Sequence, residues 1–210
     1  MLATLTLAAA TAIPTIAIGV RALPDVPRPL VTLALEEARA IWRAAGVRLV
    51  WRTDGDGAKD GAVAAAAPGA VGLDLAVTLR VVIDDEPGTA PGDFLAAGWV
   101  IFEGGEPRPE IHLSRANVFK GLERACPVGA LSRLTQFHID EVVAVALGRT
   151  LAHELGHYLL GVKVHSGRGL MRAEWSPTDL YGDERPDFRL TAEQREVVAS
   201  KCAATLTTKP

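Results

Sequence analysis

Residues His153-Glu154-Leu155-Gly156-His157 form an H-E-x-x-H motif, and this motif can work only on a helix. Two imidazoles four residues apart on a helix lie about 40° apart around the axis and about 6 Å along it. Both can then reach one metal ion, and Glu154 can face a water beside it as general base. The flanking sequence supplies the helix. Residues 139 to 160 are almost continuously helix-compatible, with Val142, Val143, Val145, Ala146, Leu147, Leu151, Leu155, Leu159 and Leu160 giving apolar surface all round. That distribution predicts a central, buried helix. Asp140 is the expected N-cap and Gly161 the expected residue just past the C-terminus. Buried histidine and glutamate need partners, because isolated buried polar groups cost several kcal/mol, and a metal would supply one. The lone histidines His112 and His138 are read as structural or surface residues.

Catalytic zinc usually takes three protein ligands and keeps one position open. His153 and His157 supply two, and His165 is the leading third candidate. Gly161 can end the helix in a left-handed conformation, and Val162-Lys163-Val164 then lead back to His165. Glu174, Asp179 and Asp187 compete. Glu174 would need a second helix, and residues 173 to 177 do not read as one because Pro177 interrupts. After His165 comes Ser166-Gly167-Arg168-Gly169-Leu170-Met171, a turn-rich stretch ending in methionine. Three histidines favour zinc, although iron, cobalt or nickel also suit such a set.

The segment resembles the metzincin zinc peptidases, whose pattern is H-E-x-x-H-x-x-G-x-x-H followed by a methionine-containing turn. The register differs. The family glycine falls at Leu160, whereas the glycine here is Gly161. The family's third histidine falls at Lys163, whereas the histidine here is His165. One added helical residue turns the exit by about 100°, so a longer loop is needed to bring a ligand back. The Ser166…Leu170-Met171 ending looks like the matrixin branch. The string is also similar to bacterial proteins carrying HELGH-x-LLG-x-x-x-H-S-x-x-G-L-M-R. That likeness extends over about residues 13 to 203, while the specific motif covers 151 to 172.

The resemblance implies an α+β fold of metzincin type. In it a twisted mixed sheet packs on two long helices, and a small loop-rich C-terminal subdomain ends in a helix. Residues 13–161 would form the upper subdomain and 162–210 the lower. It further implies a Zn2+-dependent endopeptidase acting on peptides or proteins. Glu154 would be the general base, His153, His157 and His165 the ligands, and Met171 the turn residue beneath the metal. Tyr181 would stabilise the tetrahedral intermediate, as a tyrosine does in some members. An edge strand within residues 99–114 would pair with extended substrate by backbone hydrogen bonds. The shifted third ligand keeps an alternative open, a zinc-binding but inactive peptide-binding protein of the same fold. A metal-free interaction domain is a further reading.

Length and composition set outer bounds. The chain has 210 residues, 49% of them apolar, and a net charge of −3, which fits one domain with a sizeable core. Positive residues are scattered, so a nucleic-acid partner has no support. A monomer is expected. Cys126 and Cys202 form no C-x-x-C pair. They would bridge in an exported protein or remain two buried thiols. Residues 1–12 read as an atypical signal peptide: an apolar stretch ends in Ala10-Thr11-Ala12 but lacks a basic start. An extracytoplasmic or secreted location is therefore expected, with the cytoplasm as the alternative and the stretch then part of the folded chain. It is too short and too broken by Thr and Pro14 for a stable membrane span.

The pattern along the chain predicts a strand over 14–20, an amphipathic helix over 27–45 and a strand over 47–52. That order suggests a parallel pair joined by a crossover helix. Val31, Leu35, Ala38, Ile41, Trp42 and Ala45 mark the helix's core side. Residues 54–72 read as a loop, and 75–83 alternate as a strand. Residues 84–93 form a turn-rich connection. Strands follow at 97–102 and 110–114, joined through Gly104-Gly105-Glu106-Pro107, then a short helix at 118–125. A last helix runs from near Thr191, where Thr191 and Gln194 resemble a capping box, to about Ala203.

Overall fold

A computed structural model describes residues 14–53, 72–74, 79–85, 96–185 and 188–207. The expected signal-like segment, most of the expected 54–72 loop and most of the 84–93 connection lie outside these residues.

Strand β1 (Thr15–Ala22) leads into helix α1 (Arg28–Ala44) and back into β2 (Arg48–Thr53), which pairs parallel with β1. Pro29 sits in the first turn of α1, where its missing N–H is harmless. Gly46 ends the exit turn at φ 83°. The stripe expected to face the core, Val31 to Ala45, is buried throughout, because apolar residues at helical spacing share one face.

β3 (Gly72–Asp74) and β4 (Arg80–Asp84) both pair parallel with β1. β5 (Gly98–Glu103) and β6 (Glu106–Ser114) form a hairpin, and β6 pairs parallel with β4. The sheet runs β2-β1-β4-β6-β5, with β3 beside β1. It is mixed: β5–β6 is its only antiparallel pair among the described residues, with β5 at one edge. In β4, Val81 and Ile83 point inward, continuing the alternation from buried Leu79. The hairpin turn is tighter than expected. Gly104 and Gly105 carry it alone at φ 58° and 96°, so Glu106 and Pro107 already belong to β6.

Helix α2 (Arg115–Ala125) starts at the Ser114 cap, whose Oγ accepts from Asn117 N at 3.2 Å. Helix α3 (Gln136–Leu160) is the long motif helix. Its start corrects the sequence reading. Thr135, not Asp140, is the N-cap, accepting from His138 N at 3.3 Å. The polar Gln136 and His138 hid the first turn, and Asp140 instead accepts from Gln136 Nε2 at 2.9 Å within the helix. Residues 173–176 are not helical, as expected, and a short helix that the sequence reading did not include, α4 (Pro177–Tyr181), follows them. Pro177 opens it rather than interrupting it, inside a Ser176/Asp179 capping box. Helix α5 (Ala192–Thr207) follows the expected capping box. Thr191 N donates to Gln194 Oε1 at 2.9 Å, and Gln194 N donates to Thr191 Oγ1 at 3.2 Å.

The fold is thus α+β, with a mixed sheet and two long helices, α1 and α3, packed together against it. Two contacts bring the motif helix close. Trp42 Nε1 donates to the Ala152 carbonyl at 3.2 Å. A Cβ on Gly148 would stand 2.5 Å from the Ala34 carbonyl oxygen, so only glycine permits this crossing. Beside it lies a buried ionic clasp. Arg149 Nε donates to Glu37 Oε1 at 3.1 Å, and Arg185 Nε donates to Glu37 Oε2 at 2.8 Å. Arg149 also donates to the carbonyls of Asp179 at 2.6 Å and Glu184 at 2.7 Å. This ties α1 and α3 to the segment after α4. No described helix is long and apolar enough to cross a membrane.

Candidate metal centre and cleft

The last turns of α3 place His153, Glu154 and His157 at the floor of a cleft of about 660 Å³. Gly161 then ends the helix at φ 70°, ψ 32°, with its N–H on the His157 carbonyl at 3.0 Å. This left-handed exit is the one the sequence led us to expect. It redirects the chain so that His165 returns to the same place. Nε2 of His157 lies 3.0 Å from Nε2 of His153 and 3.2 Å from Nε2 of His165. One ring nitrogen from each of the three residues falls within 4.8 Å of the others.

The protonation of two rings follows from their other nitrogens. His153 Nδ1 is 2.8 Å from the Leu170 carbonyl, and His157 Nδ1 is 2.8 Å from the Val162 carbonyl. A carbonyl only accepts, so each Nδ1 carries the hydrogen and each Nε2 presents a bare lone pair. Two lone pairs facing each other at 3.0 Å repel unless a cation lies between them. Nitrogens about 2.0–2.1 Å from a common zinc at tetrahedral angles stand about 3.3 Å apart. The donor set and spacing therefore fit a zinc-sized ion.

Burial sets the electrostatics. Desolvation lowers the His153 pKa to about 4, opposed by the Leu170 hydrogen bond and aided by the neighbouring imidazoles. Desolvation likewise lowers His157, and His165 adds to the shift. Burial alone pushes Glu154 up to about 8. Without metal, the two extreme shifts act on stability in opposite directions. The folded state holds the Glu154 proton more tightly than the unfolded state does. Its contribution is full below the ordinary value of 4.5 and lost as pH rises through 8. His153 is depressed from 6.5, so its contribution is full above 6.5 and lost as pH falls through 4. The slopes oppose each other between those ordinary values. The metal-free protein is therefore expected to lose about 2 kcal/mol between pH 6.5 and 8. Metal-free Glu154→Gln is expected to stay flat over that range. Urea midpoints measured across it check this; parallel curves would refute the assigned environment of Glu154.

Met171 is buried beneath the motif helix, where a Cβ on Gly156 would overlap its Sδ. The same turn supplies the Leu170 carbonyl to His153, and Ser166 N donates to the Met171 carbonyl at 2.7 Å. One segment thus orients a ring and supports the helix below it.

Strand β5 forms the opposite wall of the cleft, and Ala173, Trp175 and Leu180 close it from below. Trp175 stands edge-on to His153, ring centroids 5.3 Å apart, and edge-on to Phe188 at 4.9 Å. Sequence reasoning missed Trp175. Its signal was a tryptophan in the stretch after the methionine turn, where solvent exposure would otherwise be expected.

Other candidates separate from the centre. Glu174 is exposed and outside the histidine group. Asp179 caps α4 and lies 3.0 Å from Arg172 Nη2, while Asp187 falls outside the described residues. Tyr181 is a correction. Its hydroxyl donates to the Val118 carbonyl at 3.0 Å, away from the cleft lining, and burial pushes its pKa up to about 12. The hydroxyl needs a partner once buried, and α2 provides one where Gly121 leaves room. His112 stacks on Trp99 at 5.1 Å, and His138 sits in the first turn of α3. Cys126 forms no disulfide among the described residues, and the Cys202 side chain lies outside them.

No protein-family model matches the chain, and no curated protein matches it. Among solved structures, the chain is similar to archaemetzincin from Methanopyrus kandleri. The identity is 13%, the TM-score is 0.49, and the likeness covers 94% of this chain and 99% of that one.

Proposed function

We propose that this protein is a zinc-dependent endopeptidase. The convergence of three imidazole Nε2 atoms, two with lone pairs fixed by their Nδ1–H bonds, carries the reading. His153, His157 and His165 would hold the ion, Met171 would support the site from below, and Gly161 would set the loop that closes it. Bound zinc would supply a water acidic enough to attack near neutral pH and would polarise the scissile carbonyl. Glu154, adjacent to His153 in the cleft, would take a proton from the attacking water as its oxygen bonds to the carbonyl carbon. The same carboxyl would hand that proton to the leaving amine as the C–N bond breaks. Edge strand β5 would hold extended peptide along the cleft by backbone hydrogen bonds, which suits a substrate read with little regard to sequence.

The chain from residue 13 would act as one peptidase domain, with 13–161 above the cleft and 162–210 below it. The active-site segment would be of matrixin type, with a helix exit one residue longer. Residues 1–12 would direct export, giving an extracytoplasmic monomer acting on peptides or proteins.

Metal removal tests the proposal. A chelator is expected to abolish cleavage of a denatured-protein library, and one equivalent of zinc is expected to restore it. Cleavage that persists in the metal-free protein would refute the reading.

A further inference from the structure

We propose that Lys163 makes the cleft select peptides bearing a carboxylate side chain on the amino-terminal side of the bond cut. This rests on the endopeptidase reading and adds a substrate class to it. Lys163 lies in the loop between Gly161 and His165 and lines the cleft. Its Nζ stands 5.2 Å from the centroid of the Phe102 ring, near the end of β5. The ammonium is thereby held over one end of the cleft, with an aromatic face and no described carboxylate as its partner. The other cation in the lining, Arg172, already has Asp179 Oδ2 3.0 Å from Nη2. Glu154 is the only acid among the described lining residues, and the chemistry proposed above uses it. An acidic side chain entering beside Phe102 meets an unneutralised cation, whereas a basic one meets a like charge.

The topology fixes which flank of the peptide arrives there. Gly98 begins β5 beside Thr150, since a Cβ on it would stand 2.7 Å from Thr150 Cγ2. Thr150 precedes His153 along α3, and Lys163, beside Phe102, follows His157. β5 therefore runs past the three histidines in the same sense as α3. Antiparallel pairs outnumber parallel ones two- to three-fold, and a peptide added antiparallel to β5 runs the other way. Its amino-terminal part passes Phe102 and Lys163 before the reacting bond reaches the histidines.

The test uses the full zinc-loaded chain and a proteome-derived peptide library, with cut sites read by mass spectrometry. Asp and Glu are expected to be enriched about three- to ten-fold over Lys and Arg within the first positions before the cut. Lys163→Gln should remove the enrichment and Lys163→Glu should reverse it; either variant suffices if the other fails to fold or to hold zinc. Binding gives a second readout. Zinc-loaded Glu154→Gln protein, with and without Lys163→Glu, is titrated with fluorescein-labelled alanine peptides carrying one Glu or one Lys. The Glu peptide should bind tighter, and Lys163→Glu should reverse the order. Cleavage without acidic enrichment, enrichment confined to the carboxy-terminal side, or enrichment unchanged in Lys163→Glu overturns the inference and leaves the endopeptidase reading standing. Absence of any cleavage overturns the endopeptidase reading instead. The titrations then decide only whether Lys163 makes the cleft prefer a carboxylate-bearing peptide: a reversed order upholds that preference, and equal affinities overturn it.

Discussion

Glu154→Gln is expected to lower peptide hydrolysis by about 10²–10⁴-fold while zinc stays bound. The substitution keeps the side chain's shape and removes the ability to accept a proton. Glu154 sits on α3 next to His153 but is not one of the three residues whose nitrogens converge. Zinc retention should therefore match the unmodified protein, and the loss should fall on turnover rather than on substrate affinity. The pH response gives an independent sign. Burial raises the Glu154 carboxyl to about 8, and a nearby dication opposes that shift. Loading with zinc should accordingly move the acidic limb of the rate profile below the value for the isolated carboxyl. Turnover undiminished in Glu154→Gln would remove this residue from the chemistry and leave the ion-binding geometry to be explained some other way.

Arg149→Met should destabilise the fold by about 3–5 kcal/mol, the range for breaking a buried pair by deleting one partner. Arg149 is 1% exposed and Glu37 is 6% exposed, so the substitution leaves a buried carboxylate with only the exposed Arg185 as its cationic partner. It also leaves the Asp179 and Glu184 carbonyls without their donor. Arg185 is 54% exposed, and its pairing with Glu37 contributes far less, at most about 1 kcal/mol after solvent screening. A double substitution, Glu37→Met with Arg149→Met, should recover part of the loss, because no uncompensated charge then remains. Urea unfolding of the single and double variants measures this. Equal losses in Arg149→Met and Arg185→Met would contradict the clasp as described.

Local chemistry made the site legible in the sequence to an unusual degree. The H-E-x-x-H spacing puts two histidines on one helical face, and Gly161 is the residue type a left-handed exit requires. The offset of His165 from the metzincin register remained readable as a longer loop, because an added helical residue must change the exit direction. The α1 stripe and the Thr191/Gln194 cap were legible for the same reason: their signals are periodic or reciprocal within a few residues. What escaped depends on contacts distant in sequence. Arg149 and Glu37 are 112 residues apart, and nothing local marks either as buried. Trp175 and Tyr181 have similar surroundings in sequence, yet one packs against His153 and the other turns to Val118. The Thr135 and Pro177 helix starts were misread because polar first turns look like loops when judged by apolar periodicity alone.

Zinc-edge X-ray absorption on the purified full chain tests the central geometry most directly. One zinc per chain is expected, with scattering from three imidazole nitrogens at about 2.0–2.1 Å. In His165→Ala one imidazole shell should disappear and affinity should fall by more than about 100-fold, beyond the loss from an outer-shell partner. Zinc held by two imidazoles or fewer in the unmodified protein, or an unchanged spectrum in His165→Ala, would contradict the account.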